Sequence, residues 1–217
     1  MKKGKYFLIL LSLFLIIYYF SYRITPTMKN VAEKEINQFI QTVINHTSFS
    51  QQINHQKLYT INKNNNQIQS LSFNMNYINQ IASDYINNLE ETLFQIEEGL
   101  YKNRNKSIYN RKLLKISQNK GIIASIPLGA LTNNIFLENI GPSIHVKYKT
   151  LSLSSSSIHK DVKNYGINHI AISIDIDVTL ALQVIIPLSK EQFKEKYNIP
   201  LIYEIIEGEV PSWYQTS

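Results

Sequence analysis

Two aspartates, Asp175 and Asp177, stand two residues apart within INHIAISIDIDVTLALQVIIPL, residues 167–188. In an extended chain that spacing puts both carboxylates on one face, about 6.6 Å apart along the strand. Carboxylates at such a separation could serve glycoside hydrolysis or a cation site, provided that a cleft raises the pKa of the acid partner. A single strand supplies no cleft, so the expected reading is a solvated, charged face. The five histidines are His46, His55, His145, His159 and His169. No H-E-x-x-H, G-x-S-x-G or G-x-x-x-x-G-K-[ST] spacing occurs in the chain. A hairpin turning at KNYG, residues 163–166, would bring His159 and His169 opposite one another, but no third ligand for a metal follows from the spacing. The serines of SSSS, residues 154–157, have no identifiable base. Cysteine is absent, which removes disulfides, thiolate metal sites and cysteine nucleophiles. The expectation is no catalytic residue, no metal and no cofactor.

The element carrying the aspartates is strongly patterned. Ile170, Ile172, Ile174, Ile176, Val178, Leu180, Leu182, Val184 and Ile186 alternate without a break, the period of a half-buried strand. Residues 170–186 fully extended would reach about 56 Å at ~3.3 Å per residue. A globule of the remaining body measures only about 42 Å across. A bulge, a bend or a protruding ribbon is therefore expected.

Charged residues make up 18% of the 217-residue chain and hydrophobic ones 44%, a balance that favours one ordered body over disorder. Net charge is +6, but Lys2, Lys3 and Lys5 belong to the N-terminal segment. Without them Lys+Arg 19 faces Asp+Glu 16, too mild a surplus to argue for nucleic acid. Between Tyr6 and Tyr22 no charge occurs. These 17 positions span about 25 Å as a helix, the short end of what crosses a bilayer core. Tyr6, Phe7, Leu8, Ile9, Leu10, Leu11, Leu13, Phe14, Leu15, Ile16, Ile17, Tyr18, Tyr19 and Phe20 are the anchor residues, and the lipid bilayer is their expected partner. YYFSYRITPT offers no paired small residues for signal cleavage, so an uncleaved anchor is expected. The lysines of tail 1–5 place it in the cytoplasm and the body outside, on a single-pass cell-membrane protein.

Beyond the anchor the reading is α+β: a transmembrane helix, then two amphipathic helices packed on an antiparallel sheet with a long C-terminal meander. Thr25 and Pro26 read as the cap and first position of a juxtamembrane helix over 25–47 within a body of 25–217. Residues 57–101 hold a hairpin, KLYTIN and QIQSLSFN about KNNN, followed by a helix capped by Asn74 or Asn76 and stopped by Gly99. Residues 102–120 form a basic connector, a solvated loop whose Lys102, Arg104, Lys106, Arg111, Lys112 and Lys115 could touch anionic lipid or wall polymer. From 121 to 217 the pattern is strands: GIIASIP, then 144–158, 167–188 and 193–206, with LSKEQ joining the last two.

IPLG (126–129), ENIGP (138–142), YGIN (165–168), VIIPL (184–188), NIPL (198–201) and above all IIEGEVPSWY (205–214) occur in an order and spacing that resemble the YunB family of sporulation proteins of endospore-forming Firmicutes. Weaker similarity runs forward through FNMNYIN to the anchor. The resemblance implies a role in spore formation, in the mother cell at a membrane such as that engulfing the forespore, and it implies no enzymatic activity. Its motif residues are shape-formers. Gly129, Gly141, Gly166 and Gly208 permit unusual φ, Pro142, Pro187, Pro200 and Pro211 fix strand ends, and Pro127 and Asn168 belong to the same turns. The expected protein is a membrane-anchored, non-enzymatic component of the mother-cell or outer forespore membrane. Its partners would be other envelope proteins or copies of itself, and not nucleic acid. The alternatives are an envelope hydrolase resting on Asp175 and Asp177, and a wall- or lipid-binding module resting on the basic run.

Overall fold

The computed structural model describes residues 2–47, 53–64, 67–102, 108–132, 135–164, 169–187 and 189–207. In chain order the elements are α1 (Lys2–His46), α2 (His55–Leu58), β1 (Tyr59–Asn64), β2 (Gln67–Phe73), α3 (Met75–Glu98), α4 (Ile108–Gln118), β3 (Ile122–Pro127), a 3-10 turn (Leu128–Thr132), β4 (Ser143–Asn164), β5 (His169–Ile186) and β6 (Ser189–Glu207). β1 and β2 pair antiparallel as a two-stranded sheet, and the other strands form a four-stranded sheet ordered β3-β4-β5-β6. The α+β class and the C-terminal meander stand as the alternation predicts.

Four local expectations are corrected. Thr25 and Pro26 do not open a helix, because α1 runs through them. Pro26 has no N–H to offer the Tyr22 carbonyl, a loss of about 3 kcal/mol in a helix interior. Past it Met28, Ala32, Ile36, Phe39, Ile40 and Val43 are all buried on one stripe, and burying such side chains returns about 1.5–3 kcal/mol each. The packed stripe outweighs the proline. Residues 108–118 are helix α4 and not loop, with Leu113, Ile116, Ser117 and Asn110 turned inward and Arg111, Lys112 and Lys115 outward. The first hairpin strand begins at Tyr59, since Asn54 accepts the Gln56 N–H at 3.0 Å and starts the single turn α2 over the residues before it. Pro200 does not end a strand but lies inside β6. β6 is an edge of its sheet, where a missing N–H need not break the ladder.

The second long helix is as its sequence predicts. The Asn74 side chain accepts the Tyr77 N–H at 3.2 Å. At the far end Gly99 takes φ 81, and the Leu100 and Tyr101 N–H groups both reach the Gln95 carbonyl, at 2.7 and 3.0 Å. That is the left-handed stop glycine allows. In β5 the even positions from Ile172 to Ile186 are buried without interruption. Register shifts occur at Asn62/Lys63 and Ile122/Ala124, and the burial phase changes in β6, where Leu201 and Ile202 are both buried.

The chain divides into two compact units. Unit 1 is Met1–Val43, Gln95–Lys149 and Gln183–Phe193; unit 2 is Ile44–Phe94, Thr150–Leu182 and Lys194–Ser217. In unit 1 the Phe39 and Tyr148 rings meet at 4.6 Å between centroids, and Lys29 pairs with Glu191 at 2.6 Å. Burial and then the Glu97 charge push the Tyr148 phenol far above its usual range. Tyr101 ties α4 in place, its hydroxyl donating to the buried Asn110 at 2.6 Å and its N–H to Ser117 at 3.2 Å. Unit 2 is built on Leu58, Ile78, Tyr85, Leu89 and Leu93 with the front of β5. There the Tyr85 hydroxyl donates to the Ile44 carbonyl at 3.1 Å, and burial lifts its pKa to about 12.

Candidate functional site

Alternation along three neighbouring strands of unit 2 assembles a dense polar cluster. Ser157 and His159 lie two apart on β4, and Lys196 and Asn198 two apart on β6. Each pair therefore shares a face, and between them β5 presents Asp177. The Asp177 Oδ2 atom receives the Lys196 ammonium at 2.6 Å, the His159 Nε2 at 2.6 Å and the Ser157 hydroxyl at 2.9 Å. The Asn198 amide donates to Oδ1 at 3.1 Å. The aspartate side chain is only 6% exposed, whereas His159 and Lys196 keep 60% and 52%. The carboxylate is thus roofed by polar groups that water still reaches.

Asp177 is accordingly not the solvated decoration that its sequence context predicts. Its neighbour Asp175, on the same face of β5, is half-buried. The ion pair with Lys196, then the Asn198, Ser157 and His159 hydrogen bonds, hold the Asp177 carboxyl far below its usual range against the opposing effect of desolvation. The network has the residue types of a nucleophilic triad without its geometry. There the imidazole takes the serine on one ring nitrogen and the carboxylate on the other. Here the same His159 Nε2 faces both Ser157 and Asp177, and Ser157 donates directly to the carboxylate. The Ser157 hydroxyl is engaged by the carboxylate, which also carries the Lys196 ammonium. The arrangement ties three strands together.

Four of the histidines each meet a different side chain. His159 faces Asp177, His169 lies 3.7 Å from Glu207, His55 lies 3.9 Å from Glu204, and His145 meets the Ser125 hydroxyl at 2.9 Å. Among the described residues no group of three His, Asp or Glu could hold a metal. Of the predicted anion contacts, Lys102 is exposed before α4, and Arg111, Lys112 and Lys115 occupy the outer face of α4. Arg104 and Lys106 lie outside the described residues, as do the motif positions Gly166, Asn168, Gly208 and Pro211. Pro127 closes β3, Pro142 precedes β4 and Pro187 follows β5. Gly141 takes φ 102. Gly129 is required for another reason: a Cβ there would stand 1.7 Å from the Leu137 carbonyl oxygen and 2.7 Å from that of Ile140.

Along the front of α1 the side chains of Tyr6, Phe7, Leu10, Leu11, Phe14 and Tyr18 are exposed. Those of Leu8, Ile9, Leu13, Leu15, Ile16, Ile17, Tyr19 and Phe20 lie outside the described set. Among the described residues no helix is long and apolar enough to cross a membrane.

Comparison with known proteins bears on the motif-bearing strands. The family profile described as sporulation protein YunB matches residues 123–213, from β3 to the C-terminal motif. The resemblance to the YunB family is shown. The chain is 25% identical over 198 residues to sporulation protein YunB of Bacillus subtilis (strain 168), covering 89% of this chain and 73% of that one. No solved structure matches. The YunB-like region holds the four-stranded sheet except Ile122, and all five residues of the Asp177 cluster.

Proposed function

We propose that this chain is a single-pass membrane protein of sporulation that acts by binding rather than catalysis. Its body would stand outside the cytoplasm on the mother-cell or outer forespore membrane, and its partners would be other envelope proteins or further copies. A role in sporulation follows from the similarity to YunB over most of the chain. The observation carrying the anchor is the division of α1. Its second half buries Met28, Ile36, Phe39, Ile40 and Val43, while its first half leaves Phe7, Leu10, Leu11 and Phe14 exposed. An uncharged apolar stretch on a continuous helix is accounted for by lipid around it. The non-enzymatic reading rests on the Asp177 cluster, whose carboxylate is engaged by Lys196 and whose serine donates to that same carboxylate. An envelope hydrolase using Asp175 and Asp177 is disfavoured by the same geometry.

The test is fractionation of sporulating cells producing the tagged chain, with carbonate extraction and external protease, followed by crosslinking. The expected result is a full-length, carbonate-resistant protein whose body is digested from outside and which crosslinks to a discrete partner or to itself. Recovery of a soluble form trimmed of its leader would refute the anchor. A monomer without any partner would refute the binding role.

A further inference from the structure

The exposed turn 135–140 of unit 1 carries an inference that rests on the anchored reading and extends it. Ile135 is 80% exposed and Phe136 86%, with Leu137 and Ile140 also open to solvent. The backbone beneath them is firmly held. The Gly129 N–H donates to the Ile140 carbonyl at 2.9 Å, the Leu128 N–H to the Pro142 carbonyl at 3.0 Å, and the Ile140 N–H to the Leu137 carbonyl at 2.8 Å. The Gly129 backbone lies so close under the turn that no side chain fits there. A pinned turn that displays adjacent large apolar side chains marks an interaction surface.

Two further observations identify its occupant. First, α1 is uninterrupted from the apolar stretch into the core of unit 1, and among its described side chains Met28 is the first that is buried. Met28 follows Tyr22 by six residues, about 9 Å of helix. The headgroup layer is itself about 5–7 Å deep per leaflet, so a core beginning there holds unit 1 at the bilayer surface. Second, charge is divided between the units. Leaving aside Lys2, Lys3, Lys5 and Arg23, the segments of unit 1 contain twelve Lys/Arg against six Asp/Glu, and those of unit 2 contain six against ten. The unit joined to the anchor bears the positive surplus, the sign that an anionic leaflet attracts.

We propose that unit 1 makes a second contact with an anionic lipid surface, through Ile135 and Phe136 at the tip of the turn, with the cations of α4 at headgroup level. Glu138 in the same turn is exposed, and its carboxylate limits entry to the interface.

The absence of cysteine permits a unique label at Phe136→Cys. The full chain carrying an environment-sensitive fluorophore there is reconstituted into vesicles of phosphatidylcholine with phosphatidylglycerol. Vesicle flotation is scored alongside the probe. The expected result is flotation with blue-shifted emission, most of it lost to a nitroxide-labelled lipid and little of it to an aqueous quencher. Flotation with emission lost only to the aqueous quencher would overturn the lipid contact and leave the anchor standing. A blue shift that grows with protein concentration and ignores the nitroxide lipid would overturn it in favour of self-association. Failure to float would remove the anchor and this contact together.

Discussion

Asp177 shows how much of a residue's role depends on strands remote in sequence. Its place opposite the apolar positions of β5 is readable from alternation alone, but its partners are not. Ser157 and His159 arrive from β4 and Lys196 and Asn198 from β6, and one residue of register would turn all four away. The cue in the sequence is two polar pairs, each at a spacing of two, flanking the strand of an acid. The cluster predicts a pH response with a definite sign. A carboxylate whose folded pKa is depressed stabilises fully above its unfolded value, near 3.8, and that stabilisation is lost as pH falls through the lower folded value. Asp177→Asn should therefore lower the urea midpoint at neutral pH, and the gap from the parent should close as the medium is acidified below 3.8. A gap of constant size down to the acid limit would contradict the ion-paired role. Tyr101 offers a second residue-scale check. Tyr101→Phe removes the hydroxyl donated to the buried Asn110, and should cost about 1–3 kcal/mol in urea unfolding. No measurable loss would mean that water or another group replaces the bond.

Helices and strands were legible where a single signal dominated. The cap at Asn74, the stop at Gly99 and the alternation of β5 all stand in the structure. The failures share a cause, which is a local rule overridden by packing that the local sequence does not contain. In α4 the inward stripe includes the polar Asn110 and Ser117, which hydrogen bonds to Tyr101 make tolerable, so the apolar period is broken and the basic residues dominate the eye. In α1 the Thr25-Pro26 pair has the form of a helix start, yet the helix continues through it. This distinction is measurable. Proline at a first helical turn is well placed, so replacing it there gives little or costs stability. In a helix interior Pro26→Ala should raise stability by up to about 3 kcal/mol, seen as a higher thermal midpoint. A neutral or lowered midpoint would favour a break at Thr25. The turn over Gly129 gives a test of opposite sign, since Gly129→Ala drives a methyl into the Leu137 carbonyl. It should lower stability by about 1–3 kcal/mol as the backbone yields, while Gly141, at φ 102 with ordinary neighbours, would suffer only the strain of its dihedral.

The sequence average concealed what the whole molecule does with its charge and its chain. A surplus of three positive charges outside lysines 2, 3 and 5 looked featureless, because a cationic unit and an acidic unit nearly cancel. The division itself left no trace of a linker. The chain passes between the units at Val43/Ile44, Phe94/Gln95, Lys149/Thr150, Leu182/Gln183 and Phe193/Lys194, and each passage falls inside α1, α3, β4, β5 or β6. Independent domains are joined through exposed, flexible segments in which few contacts would be lost on separation. Here separation would sever the hydrogen-bonded ladder or helix at every passage. Neither unit is a continuous piece of chain, so neither is available as a truncated fragment. Unfolding of the full chain in mild detergent should then be one transition, with circular dichroism and tyrosine fluorescence giving the same urea midpoint, and with a slope of about 2–3 kcal/mol per molar urea. Two separated midpoints would show that the units unfold independently despite the shared strands. With a single transition, Asp177→Asn in unit 2 and Gly129→Ala in unit 1 should shift the same curve, each by its own amount.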